Sequence, residues 1–419
     1  MNFRLAALSL LLSLSLFEGA PAACPPDTPV LRVDGRVIDY SYFSYVKSEI
    51  PQWAIKKYYS GPEGNRKLLN KILERQLILK YYKDSGFFKK PEIRNHLVRF
   101  KVKKLASLYL SGHLKPPKVT ESEVQEAIRK YYRGKKVTSE IRRSVKINLE
   151  AQKLASERER IISSATRGLK VLNLNPKSPN DVVAVYGTRK ITYREVEPLI
   201  EGKPTPLKLK RALNTYVLYL KALEEGLDRS REFKNSLLSF KENLAVSAFE
   251  RSVLSKVKVS DREVKEYYEK HKDEFKTPAS AEVLIFVFPS ESEAKKALKL
   301  LKVGKSLKES VPPSIYSTGR RWTVLSNDRN NPVAMLVFSS KEKYNLLNMP
   351  NGRTLLVVVE KRIPSRQKLL GDVYREIKEE LTARKARRLV REELSTLKKR
   401  YSPQVLPSFL NCAGKEESN

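Results

Sequence analysis

Val119-Thr120-Glu121-Ser122-Glu123-Val124 and Val259-Ser260-Asp261-Arg262-Glu263-Val264 stand 140 residues apart in this chain. In each, a hydroxyl precedes acids, the composition of a helix start: the hydroxyl caps free backbone amides, and the acids face the positive end of the helix dipole. The likeness extends well beyond these hexapeptides. At the same shift Leu73 to Lys130 faces Leu213 to Lys270 without a gap, so that Gly86 meets Gly226, Asn95 meets Asn235, Phe100 meets Phe240 and Lys101 meets Lys241. Self-similarity at a fixed offset marks a duplicated architecture.

Upstream of the repeat, Val30 to Ile38 resembles Val182 to Ile191, two β-branched runs around a glycine turn. Each copy therefore opens with a hairpin. Between hairpin and strand the apolar spacing is helical, with Leu69, Ile72, Leu73, Leu77 and Leu79 in one copy and Leu213, Val217, Leu218 and Leu220 in the other. Gly86 and Gly226 are expected to end these helices, since glycine accepts the left-handed cap. The first copy has an extra segment, with Pro51-Gln52-Trp53-Ala54 and Tyr58-Tyr59-Ser60-Gly61-Pro62. Downstream, Ser144 to Leu149 reads as a strand leading into a helix to Arg167, in parallel with Ala281 to Val287 and a helix to Val303. The last region runs from a buried-type strand, Thr354 to Val359, into a long helix ending near Arg400. Its apolar stripe includes Leu369, Val373, Ile377, Leu381, Leu394 and Leu397, and an extended stretch, Tyr401 to Leu406, follows.

The amino terminus, residues 1–23, reads as a secretory signal: Arg4, then an unbroken apolar run of 13 residues from Leu5 to Phe17, then Ala20-Pro21-Ala22. Spanning a bilayer takes ~20 apolar residues, so cleavage and export are the expectation. An uncleaved anchor and lipidation at Cys24 are the alternatives. Export removes the nucleic-acid reading of the formal charge of +35. Attraction to acidic polypeptides or to an anionic membrane surface remains. A thermophile's ion-paired surface explains the same composition. The two cysteines, Cys24 and Cys412, stand near the ends of the mature chain and are expected to form a disulfide outside the cytosol. Two unrelated thiols are the alternative.

The order of elements resembles the SurA, PrsA and PpiD families of exported parvulin-type prolyl isomerases and chaperones. The resemblance rests on the hairpin with Val33-Asp34-Gly35, the helices ending at Gly86, Val259 to Val264 with Tyr267-Tyr268, Glu274 to Pro278, Glu291 to Gly304, and the closing strand, Pro364, long helix and short final strand. It implies an α+β, mainly α fold: a SurA-like helical chaperone module completed by the long carboxy-terminal helix, here internally duplicated, with a small degenerate parvulin-like α/β domain. The divisions expected are a signal at 1–23, a first hairpin-plus-helices copy at 24–143 and a truncated strand–helix stub at 144–180. A second copy at 181–276, the parvulin-like domain at 277–363 and a closing helix and strand at 364–419 follow. Family parvulin domains carry two facing histidines, and those positions fall here on Val283 and Thr354. His96, His113 and His271 lie elsewhere in the sequence, with no partner at acid–base spacing.

These readings give no catalytic residue, no metal site and no cofactor. A periplasmic holdase for unfolded or translocating polypeptides, outer-membrane proteins among them, is the function expected. Trp53, Tyr58, Tyr59, Phe87 and Phe88 are its candidate client contacts, with a core role as the alternative for each. An active prolyl isomerase with Met335, Phe338 or Met349 forming a proline pocket is a second reading. An envelope-tethered structural protein is a third.

Overall fold

Both hexapeptides start helices. In the computed structural model, which describes residues 24–134 and 136–409, Thr120 caps the helix Glu121–Tyr131 and Ser260 caps Asp261–Lys270. Each cap is a full capping box, in which Glu123 or Glu263 reaches back to the amide of the capping residue. A cap of this kind stabilises a helix by ~1 kcal/mol.

The chain divides into two compact units, Met1–Leu254 with Val390–Asn419, and Ser255–Leu389. In the first unit each copy opens on a three-stranded antiparallel sheet. Pro29–Val33 pairs with Arg36–Asp39, and Val182–Tyr186 with Arg189–Thr192, both with a register shift near the start. Gln404–Val405 completes the first sheet and Leu169–Val171 the second. Gly86 and Gly226 take up left-handed backbone just past the helices Gly61–Asp84 and Pro206–Glu224. The chain then turns into the helices Pro91–His113 and Arg231–Lys256.

These last two helices are exchanged between the copies. Pro91–His113 leaves its own hairpin and buries Val102 among Val183, Ala184, Ile191, Leu209, Leu213 and Tyr216 of the second copy. Arg231–Lys256 goes the other way: Asn235 donates to Ser41 Oγ at 3.2 Å, and Glu242 accepts from Arg75 Nε at 2.7 Å. Phe100 and Phe240, equivalent in the repeat, stack face to face with centroids 4.1 Å apart. The duplication is thus an interlocked pseudo-dimer within one chain.

Residues 144–149 are not a strand. They lie inside one helix, Ser139–Ala165, capped by Thr138, whose hydroxyl accepts from the Ile141 amide at 3.3 Å. Ile141, Val145 and Leu149 recur every fourth residue and pack with Val124, Ala127 and Ile128. Val145 and Ile147 give the look of β alternation, but Ile147 points to solvent.

The segment 144–180 is therefore no parvulin stub. It is the counterpart, 232 residues earlier, of the carboxy-terminal helix Leu370–Tyr401. Val373, Ile377 and Leu381 replace Ile141, Val145 and Leu149 in the matching cluster, with Val264 and Tyr268 opposite. Lys153 and Lys385 make the same two contacts: one to the carbonyl of Lys118 or Lys258, one to the capping-box carboxylate of Glu123 or Glu263. The closing elements are exchanged as well. The helix after the first copy leads to the strand of the second sheet, and the helix after the second copy leads to the strand of the first.

In the unit Ser255–Leu389 a four-stranded antiparallel sheet has the order Arg320–Leu325, Ser280–Phe288, Thr354–Ile363, Tyr344–Asn348. Phe286, Phe288, Leu356 and Val358 meet the helix Glu291–Lys302 on one face. Val283, Ile285, Val357 and Val359 meet the helix Pro332–Ser339 on the other. A ribbon of Lys276–Thr277 and Arg366–Gln367 leads into and out of this sheet.

At the carboxy terminus the Leu406 amide bonds the Val30 carbonyl, Ser408 donates to the Pro29 carbonyl, and the Phe409 ring meets Phe43 edge-on at 5.2 Å. Cys24 is buried near the same hairpin's start. Cys412 and the signal at 1–23 lie outside the described residues. Among the described residues no helix is long and apolar enough to cross a membrane.

Candidate polypeptide-binding site

The extra segment of the first copy builds a cleft. Pro51 starts the helix Gln52–Tyr58, and Gly61, at φ +67°, reverses the chain into Gly61–Asp84. Gly64 lies so close to the backbone of Tyr59 that no Cβ fits between them. These two helices, with Tyr40–Ser48 and the exchanged Arg231–Lys256, enclose ≈ 1020 Å³. Its apolar lining is Val46, Ile50, Ala54, Leu68 and Ile72, and its charged lining is Lys57, Lys67, Lys71 and Arg75 against Glu49 and Glu74. The cleft is apolar within and net positive, a combination suited to apolar segments with acidic neighbours.

Two polar anchors shape it. Lys71 donates to the Tyr59 hydroxyl at 2.5 Å and lies 5.2 Å from that ring's centroid, fixing the ring. Arg75 donates to Glu242 at 2.7 Å and to Asn243 at 2.6 Å, and Gln76 donates to the other Glu242 oxygen. The Glu242 side chain is 0% exposed. Burial pushes its carboxyl pKa upward, while Arg75 holds against that shift. Burial, with the Glu242 charge added, also pushes the Tyr42 hydroxyl far up. Arg75, Gln76 and Glu242 are absent from the sequence-level site, because they meet only when the second copy's helix crosses into the first.

The candidate contacts separate. Tyr58, 50% exposed, and Tyr59 line the cleft. Trp53 is 67% exposed on the same short helix but does not line it. Phe87 is a correction: it is buried between Tyr82 and Phe88, with edge-on centroids at 5.0 and 5.2 Å, and serves the core. Phe88 is half-buried beside it.

The sheet of the second unit has no facing pair at the two positions of interest. Thr354 pairs in register with Phe288, and Val283 with Val359, so the two lie five residue pairs apart along neighbouring strands, ~17 Å. Val283 is sealed beneath Val333 and Val337, and the Thr354 hydroxyl bonds Asn348 at 2.9 Å. The histidines lie elsewhere. His113 contacts the Tyr109 carbonyl and Glu225, His271 contacts Glu274 and stacks on Tyr267, and His96 is exposed. Met335 is 60% exposed, and Phe338 and Met349 are half-buried.

Residues 259–375 match the family described as the PPIC-type PPIASE domain. This segment is a parvulin-type domain. The matched residues span the sheet, its two covering helices and the capped helix Asp261–Lys270 before them. No curated protein matches the chain. Among solved structures the chain is similar to one of two SurA-like chaperones of Campylobacter jejuni, PEB4 and Cj1289, at 18% identity over 52% of this chain and 96% of that one, with a TM-score of 0.38. It is also similar to the foldase PrsA of Lactococcus lactis, at 10% identity over 93% and 98%, with a TM-score of 0.24.

Proposed function

We propose that the protein is an exported holdase-type chaperone, in which the first-copy cleft covers apolar segments of unfolded polypeptides. The parvulin domain supports a chaperone or prolyl-isomerase-related role. The observation that carries the finer reading is the cleft itself: ≈ 1020 Å³, with Tyr58 and Tyr59 at its lining and more cationic than anionic side chains around it. A pocket of that size takes several side chains, and its charge favours acidic clients such as outer-membrane proteins in transit. Suppression of the aggregation of a chemically unfolded client tests this. Wild-type protein lowers light scattering, and replacing Tyr58→Ala with Tyr59→Ala removes most of the effect at unchanged melting temperature. Equal suppression by both proteins would reject the cleft.

Prolyl isomerisation stands second, favoured by the parvulin domain's family. Neither Val283 nor Val359, which faces it across the strands, carries a hydrogen-bonding side chain, so the expected outcome of a proline-peptide assay is the uncatalysed rate. Export by cleavage at the end of residues 1–23, and a Cys24–Cys412 disulfide, belong to the same proposal. The hydrogen bond of Ser408 to the Pro29 carbonyl brings the chain four residues before Cys412 to the first hairpin. A disulfide closing so long a loop stabilises by ~3 to 5 kcal/mol. Non-reducing mass spectrometry of secreted protein reads the cleavage site, the cross-link and any lipid on Cys24 together.

A further inference from the structure

The interlock of the two copies gathers like charges at one place in the first unit. Phe100 and Phe240 stack where the exchanged helices meet, and the residues that follow them, Lys101 and Lys241, are equivalent in the repeat. Two further cations come from the first copy. The Lys80–Asp34 ion pair, at 2.8 Å, ties the hairpin turn to the end of the helix Gly61–Asp84. Arg36 stands two residues after Asp34 and Lys83 three after Lys80. Glu242, bonded to Arg75 and Gln76, fixes the helix Arg231–Lys256 on the same helix and holds the neighbouring Lys241 against it.

Lys241 is half-buried. Burial, with the charges of Lys101, Arg36 and Lys83 added, pushes its amine below the usual lysine range. None of these four side chains makes a hydrogen bond or an ion pair among the described residues. The acids of the adjoining turns are taken, since Asp34 and Asp84 both bind Lys80, and Asp84 also accepts from the Tyr401 hydroxyl.

The matching place in the second copy is neutralised. Arg189, which has the hairpin position of Arg36, bonds Glu195 at 2.9 Å and the Tyr216 hydroxyl at 3.0 Å. Leu223 stands for Lys83. In the first copy Tyr42 and Gln76 replace Glu195 and Tyr216, so Arg36 has no carboxylate of its own. The second copy closes without four free cations, and the scaffold therefore does not require them. Like charges held together without a counter-charge cost stability.

We propose that Arg36, Lys83, Lys101 and Lys241 form a binding site for a phosphate group, either free or on a lipid headgroup. A carboxylate brings one charge and two coplanar oxygens. A phosphate group brings up to two charges and accepts from several sides, which suits a guanidinium fork and three ammonium groups arriving from a hairpin and three helices. Bound there, it joins the first hairpin and the helix Gly61–Asp84 to both exchanged helices. Ser239 and Asn243 of one of those helices line the cleft. The site goes beyond the chaperone reading and does not depend on it.

The test titrates inorganic phosphate into the full mature chain at constant ionic strength and follows binding by phosphorus NMR line width. Wild-type protein binds, and Lys241→Met and Arg36→Gln each weaken binding tenfold or more at unchanged helical circular dichroism. Arg36 is exposed on the hairpin, so its variant reads the same effect should Lys241→Met unfold. Lys296→Met, which removes one charge from an exposed position of the second unit, changes binding less than twofold. A second arm measures sedimentation with vesicles of phosphatidylcholine, with and without phosphatidylglycerol. Binding to the phosphatidylglycerol vesicles that falls tenfold in the same two variants supports the headgroup as source. Vesicle binding unchanged in them, with phosphate binding weakened, supports free phosphate. If neither arm is weakened in the folded variants, or if Lys296→Met weakens binding equally, the proposal is overturned. Tighter binding of the carboxylate peptide acetyl-tetraglutamate-amide than of phosphate at these four residues also overturns it and assigns the cluster to acidic polypeptides.

Discussion

The first copy joins its capped helix to its closing helix by the seven residues 132–138, whereas the second spends the ninety-nine residues 271–369 on the same connection. Around that difference the two scaffolds agree to single contacts, down to the lysine that ties each closing helix to its capping box. The parvulin domain is therefore an insertion at one turn of a helical scaffold that closes equally well without it. The copy without the insertion leaves its helix pair open to solvent, and the same copy carries the cleft.

The comparison is broken most strongly at the crossing helices. Glu242 and Val102 occupy equivalent positions in the repeat, one a buried carboxylate and one a buried hydrocarbon. Glu242→Ala leaves the buried Gln76 amide without its acceptor and Arg75 with Asn243 alone, and costs about 4 kcal/mol. Val102→Ala removes two methyl groups and costs roughly 1.6 kcal/mol from lost burial. Urea denaturation of the two variants measures both, and equal costs would mean that the Glu242 contacts do not join the copies. A smaller contrast separates Phe87 from its equivalent Leu227. Phe87→Ala empties a buried ring site for ~3 kcal/mol, while Leu227 is only half-buried and its replacement costs less.

The smallest effect lies in the capping boxes, and it depends on pH. Lys385 and the Ser260 cap bring the Glu263 carboxyl down to about 2, and Lys153 with the Thr120 cap holds Glu123 below the usual carboxylate range. A carboxyl whose folded pKa is depressed contributes stability that is present above the unfolded carboxylate range and lost as the pH falls through the folded value. The second helix pair should thus keep its cap to nearly pH 2. Lys385→Met should move the onset of acid unfolding, followed by circular dichroism, to higher pH. No movement would show that the Lys385 contact leaves the cap's protonation unchanged.

Much of the scaffold was legible in the residues. The repeat, the capping boxes, both hairpins, the glycine helix ends and the final strand all follow from local chemistry, which a sequence displays directly. The exchange was not. Nothing in covalent order says which copy a helix closes, and Arg75 and Glu242 are 167 residues apart. The fourfold spacing of Ile141, Val145 and Leu149 was on view, but the alternation of Val145 and Ile147 competed with it and suggested a strand. Of the site, Tyr58 and Tyr59 were readable because they sit in a segment the second copy lacks. Phe87 was misplaced because an aromatic run looks the same whether it faces the core or a client.

The measurement that tests this account most directly replaces residues 271–369 by the first copy's turn, 132–138, and assays suppression of client aggregation. If the helical scaffold does the binding, the shortened protein keeps its helical circular dichroism and suppresses aggregation within about twofold of the full chain. A protein that folds with full helicity yet no longer suppresses aggregation would contradict the account and move client binding to the parvulin domain.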